Sequence, residues 1–206
     1  MTPDRETTQR DLHGSTWYSA PLALIAVILC MIVAHLSFLR VPYFWDETYF
    51  ARVAHDFFLM GTLTPTSVPP ESHPPLVYMW IAACWKVFGF SISVARISML
   101  AVAALTLIAV YQLARLVTTG ATPIVVTALT GIYSVFFTES TLVQLDMTAA
   151  GLTLFGLVAH LRRRHWTSGI LFSFAVLAKE TAIVTPFVIA VLELVLAFRA
   201  SQNKIG

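Results

Sequence analysis

The stretch Ser19–Leu39, SAPLALIAVILCMIVAHLSFL, is apolar apart from His35 and a few small residues. At 1.5 Å per residue, about twenty such residues match a hydrocarbon core of about 30 Å. It reads as a first membrane span, retained rather than cleaved, because no small-residue cleavage site follows it. Trp17 and Tyr18 before it, and Tyr43-Phe44-Trp45 after it, suit the two interfaces. Outward from that span the composition agrees. Of 206 residues 57% are hydrophobic and only 12% charged, with a mean hydropathy of +0.76. An average soluble domain has about 25% charged residues. The fold class is therefore all-α integral membrane, a polytopic helical bundle of about five or six spans. The net charge of +2 suggests no nucleic-acid partner. Cys30 and Cys84 lie in apolar segments and read as small core hydrophobes.

Residues 1–18 form a polar tail, irregular through residue 16. Beyond the first span, Phe50, Val53, Phe57 and Phe58 recur at helical spacing between Glu47 and Met60, with Thr48, Arg52, His55 and Asp56 opposite. That is an amphipathic interfacial helix ended by Gly61. Residues 62–72 are extended loop. Pro74 and Pro75 suit a helix start, and Leu76–Phe88 follows, apolar all round except Lys86. At about 21 Å it is a short span or a second juxtamembrane helix in the first outer loop. Ile92–Leu116, Thr122–Phe137 and Met147–Leu161 are further spans. Ser168–Ala178 runs to Lys179-Glu180, and Thr181–Phe198 returns or continues past a kink at Pro186. The segment from 19 to 198 is one transmembrane domain, and 199–206 is a polar tail.

Arg162-Arg163-Arg164-His165 is the best cytoplasmic marker. If Leu76–Phe88 does not cross, Arg115 and that cluster lie inside with the N-terminus. Asp46, Glu47, His73, Glu139 and Asp146 then all lie outside, which is the preferred topology.

Asp46 and Glu47 are two adjacent carboxylates at a membrane exit. They are either solvated loop residues, with Glu47 favouring a helix start, or a general base and its helper. His73 is an interfacial residue or a ligand of phosphate or metal. Asp146 is a helix cap or a third outer carboxylate. Lys179 and Glu180 interrupt an apolar run, as groups facing a cavity or partner do. Arg96 is an interface anchor or a guanidinium for a lipid-linked phosphate.

Trp45-Asp46-Glu47, His73-Pro74-Pro75-Leu76, Gln144-Leu145-Asp146 and Ala178-Lys179-Glu180, in that order, resemble the protein O-mannosyltransferase and aminoarabinose transferase group of GT-C glycosyltransferases. The resemblance runs from about residue 19 to residue 198. It implies a polyprenyl-phosphate sugar donor, a protein, lipid or glycan acceptor, and inverting displacement on the outer face of a bacterial-type plasma membrane. It implies Asp46 as base, with Glu47 assisting at the acceptor or at a divalent cation, for which Asp46, Glu47 and Asp146 are the candidates. His73, Asp146 and Lys179 match positions near the donor, and Arg96 and Glu180 join the candidate substrate-binding set. Family members usually carry many more spans and a soluble C-terminal portion. A non-catalytic membrane subunit partnering a full-length transferase is therefore a second expectation, and a small transporter a third.

Overall fold

A computed structural model describes residues 5–69 and 73–202, with side-chain surroundings from residue 20 onward. The interface roles read for Trp17 and Tyr18, and residues 1–4, 70–72 and 203–206 of the expected tails and loop, lie outside that range. Nine α-helices are described: α1 Arg5–His35, α2 Glu47–Met60, α3 Leu76–Phe88, α4 Ile92–Val117, α5 Thr122–Ile132, α6 Ser134–Glu139, α7 Leu145–Leu161, α8 His165–Ala178 and α9 Val184–Gln202. Short 3₁₀ turns cover Leu36–Phe38 and Glu180–Ile183. No strand occurs among the described residues. Three helical segments are long and apolar enough to cross a membrane: Ala20–Phe38, Ile92–Val117 and Glu180–Gln202. Leu76–Phe88, Thr122–Ile132, Leu145–Leu161 and His165–Ala178 are shorter apolar helices.

α2 and α3 have the expected bounds. Gly61 ends α2 at φ 69°, a conformation that costs glycine nothing. Ser91 caps α4, its hydroxyl accepting from Val94 N at 3.1 Å. Trp85 Nε1 donates to the Ser91 carbonyl at 2.9 Å, which fixes the α3–α4 corner.

Three expectations change. The polar segment read as an irregular tail is already helical from Arg5. The single span read over Thr122–Phe137 is two helices, because Tyr133 turns extended at ψ 129°. Of the two alternatives for the last segment, the break falls at Lys179, at φ −155° and ψ 128°, and there is no kink at Pro186, which sits in the first turn of α9 where a missing N–H is harmless. Cys30 is exposed on α1, whereas Cys84 is buried as expected.

The core is α7 packed on α4 and on α8, with α3 against α4 and α2 against α3. Ile81, Trp85, Ala95, Met99, Val143 and Leu145 form its outer cluster. α1 packs on α4 through Met31, Leu100, Ala103 and Leu107, and also contacts α5. α9 buries no residue, though Glu193 reaches His160 at 3.4 Å. α7 and α8 approach closely at Gly156 of α7. Ser168 Oγ donates to its carbonyl at 2.9 Å, and a Cβ there would meet the buried Phe172 ring at 2.7 Å. Gly156→Val should therefore separate α7 from α8 and destabilise the protein by about 1–3 kcal/mol. The readout is a lower melting temperature of the detergent-solubilised chain; an unchanged melting temperature would show that Phe172 moves aside freely.

Candidate active site

α1 leaves its span at Phe38, and the chain then has to turn back along the interface. What fixes that turn is a buried ion pair. Glu47 is 0% and Arg96 2% exposed. Arg96 Nη2 donates to Glu47 Oε2 at 3.0 Å and to the Pro42 carbonyl at 3.1 Å. Its Nε donates to the Val41 carbonyl at 3.0 Å, and its Nη1 to the Thr141 carbonyl at 3.1 Å. Glu47 in turn accepts from Phe44 N at 3.1 Å and Val143 N at 2.8 Å. One planar guanidinium and one carboxylate thus join the exit of α1, the start of α2, α4 and the α6–α7 connector. The Tyr43 ring lies 5.7 Å from the guanidinium, and burial pushes its phenol up to about 12, with Arg96 opposing and Glu47 adding.

Asp46 has the opposite fate. Neighbours at a helix start point about 100° apart, so when Glu47 turns in, Asp46 turns out. Its side chain is exposed and makes no hydrogen bond or ion pair among the described residues. Its carbonyl accepts from Tyr49 N and Phe50 N, both at 3.0 Å, which anchors its backbone. Trp45 before it takes φ 54° and is 74% exposed. A bulky residue at positive φ persists only where its surroundings over-determine it. Here Phe44 N, held by Glu47, and the Trp45 carbonyl, which accepts Thr48 Oγ1 at 2.7 Å, supply that constraint.

The remaining candidates meet where α8 breaks. Lys179 Nζ donates to Asp146 Oδ1 at 2.6 Å, and Glu180 Oε2 lies 3.0 Å from His73 Nδ1. Two adjacent residues therefore tie the α8–α9 junction to α7 and to the start of α3. Asp146 is not the cap of α7, a place taken by Gln144, but lies in its first turn, where a carboxylate suits the helix dipole. The His73 ring also packs edge-on against Phe50 of α2, with centroids 6.0 Å apart. An apolar groove of about 690 Å³ runs along one face of α8, past Trp166, Ile170, Phe174 and Leu177. No three His, Cys, Asp or Glu side chains gather as a cation site among the described residues, and Glu47 spends both carboxylate oxygens on Arg96 and backbone amides.

Two residues escape sequence reasoning. Asp56, expected on the solvent face of α2, is 4% exposed. The following loop folds back over it, so that Thr66 N, Ser67 N and Ser67 Oγ all donate to its carboxylate at 2.8 Å. Burial alone would raise its carboxyl. The Ser67 and Thr66 hydrogen bonds outweigh that, with help from His55, and hold it below the usual range. A depressed acid stabilises the fold above its unfolded value of about 3.9, and the gain is lost as pH falls through the lower folded value. The loop around Ser67 should thus lose hydrogen-exchange protection as pH drops below about 4, and Asp56→Asn should expose it already at neutral pH. The second residue, Glu139, ends α6 with Oε2 buried and unbonded. Its only sequence signal is that it stands alone as an acid between Thr122 and Leu145.

The profile of the dolichyl-phosphate-mannose-protein mannosyltransferase family matches residues 72–205. The match includes His73, Arg96, Asp146, Lys179 and Glu180, and begins after Asp46 and Glu47. No curated protein and no solved structure matches the chain.

Proposed function

Because the chain belongs to the dolichyl-phosphate-mannose-protein mannosyltransferase family, we propose that it transfers a sugar from a polyprenyl-phosphate donor to a hydroxyl or amine acceptor at the outer membrane face. Asp46 is the general base. The acceptor heteroatom attacks the anomeric carbon and gives its proton to the Asp46 carboxylate. The bond from that carbon to the phosphate oxygen breaks, and its electron pair leaves with the lipid phosphate. A single displacement of this kind inverts the anomeric centre. Protonated Asp46 then returns its proton to water.

The observation that carries this reading is the division of labour between neighbours. Glu47 is buried and bonded to Arg96, while Asp46 is exposed and unbonded on a backbone fixed from both sides. In this reading Glu47 and Arg96 are positioning residues. Lys179 and His73 supply positive character for the donor phosphate, and Asp146 and Glu180 orient them. The apolar groove along α8 suits an isoprenoid chain. The test is transfer of label from a radiolabelled polyprenyl-phosphate sugar in membranes that hold this chain. Transfer above that of membranes lacking the chain is expected. No transfer until a longer relative is co-expressed would favour a partner subunit, and solute accumulation in sealed vesicles without transfer would favour a transporter.

A further inference from the structure

Glu139 Oε2 has no hydrogen-bond partner and no access to solvent. An unmet buried acceptor costs about 1–3 kcal/mol when neutral and more when charged. The charged groups around it come from every side. Asp146 of α7, Glu47 of α2 and Lys179 at the α8 break act on it directly. Arg96 of α4 bonds to the Thr141 carbonyl further along the same connector. His35 of α1 places Nε2 2.8 Å from the Phe137 carbonyl. The cations are already engaged: Arg96 with Glu47, and Lys179 with Asp146. Burial, then Asp146 and Glu47, push the Glu139 carboxyl above its usual range, and Lys179 only partly offsets them.

We propose that Glu139 is a positioning residue of the outer-face site that works as a neutral carboxyl, keeping the Lys179 end of the site open to one anionic phosphodiester. This rests on the function proposed above. The charge balance gives the reason. With Glu139 neutral, Asp146 and Lys179 sum to zero, as do Glu47 and Arg96, and Glu180 beside Lys179 is paired with His73. With Glu139 ionised, the same neighbourhood carries one more negative charge, which an incoming phosphodiester would meet. The residue acts through Lys179 and does not touch the reacting atoms. An isosteric neutral side chain should therefore replace it, and an obligate anion should not.

The probe is a short-chain polyprenyl phosphodiester, which keeps a single charge throughout, titrated onto the nanodisc-embedded chain between about pH 5 and about pH 9. Wild-type affinity should fall roughly tenfold as pH rises, the scale of one like charge about 12 Å away at an effective permittivity of about 20. Glu139→Gln should bind as well as wild type at low pH and lose less affinity than wild type as pH rises, keeping only the slope that other groups such as His73 contribute. Isotope-edited infrared spectra should show the protonated-carboxyl band of Glu139 persisting above the pH at which an ordinary glutamate ionises, absent in Glu139→Gln. Identical pH dependence in both proteins, or a band lost where an ordinary glutamate ionises, would overturn the role of Glu139 and leave the functional reading standing. No binding by either protein at any pH would overturn both.

Discussion

Asn at position 46 should leave the protein folded and inserted while lowering sugar transfer by about 10²–10⁴-fold, the usual contribution of a positioned general base. The substitution is isosteric. The side chain it changes is exposed and holds nothing together among the described residues, and the backbone carbonyl that starts α2 is untouched. The loss should fall on kcat, because an acceptor hydroxyl still binds but no longer has a proton acceptor beside it. The donor KM should move little, since the groups read as facing the phosphate are His73 and Lys179. Asp46→Glu should be intermediate: the base survives but moves outward by one methylene, and misplacement of about 1 Å can cost about a hundredfold. Initial rates with labelled donor, beside the melting temperature of each variant, decide the matter. Full activity in Asp46→Asn with the fold intact would remove Asp46 from the chemistry and, with it, the central step of the proposed reaction.

How far the sequence could be read depended on the range of the forces involved. Local periodicity and end signals located α2 and α3 to the residue, and α4 within one, because alternation of faces, Gly61 and the Pro74-Pro75 pair act over a single turn. The break at Tyr133 has Gly131 two positions before it, but one glycine inside an apolar run is too weak a signal to split Thr122–Phe137 into two pieces. The site shows the same limit more sharply. Asp46 and Glu47 look alike as a motif, and only the fold separates them. Glu47 goes inward because Arg96, 49 positions away, and Val143, 96 positions away, converge on it. The pairings of Lys179 with Asp146 and His73 with Glu180 likewise span 33 and 107 positions. Charge placement reads these residues on one membrane face, and the fold brings them together in pairs. It could not tell a guanidinium that anchors a loop from one that waits for a phosphate. Asp56 misled for a related reason: the face of α2 that periodicity assigns to solvent is covered by residues ten and eleven positions on.

Arg96 is where those two meanings give different results. Arg96→Ala leaves the Glu47 carboxylate 0% exposed with its ion partner gone and three carbonyls unmet. Breaking a buried pair from one side costs about 3–5 kcal/mol, against a typical total stability of about 5–15 kcal/mol. The variant should accumulate poorly and melt far below wild type. Arg96→Lys should rescue little, because one ammonium cannot reach the carbonyls of Val41, Pro42 and Thr141 and the Glu47 carboxylate together. Glu47→Gln should also destabilise, since its amide N–H₂ would face either the Arg96 donors or a backbone N–H. Removing both charges, as in Glu47→Leu with Arg96→Met, should cost less than the sum of the single changes, because an apolar pair has no stranded charge to bury. Thermal unfolding of wild type, Glu47→Leu, Arg96→Met and the double variant in one detergent gives that coupling directly. A guanidinium that served the donor phosphate would behave otherwise: Arg96→Lys would keep the melting temperature, raise the donor KM, and show no coupling to Glu47. The four hydrogen bonds that Arg96 donates inside the protein argue for the first pattern. They also explain why Asp46 can be exposed and still held in place, since the pair fixes the backbone on both sides of it.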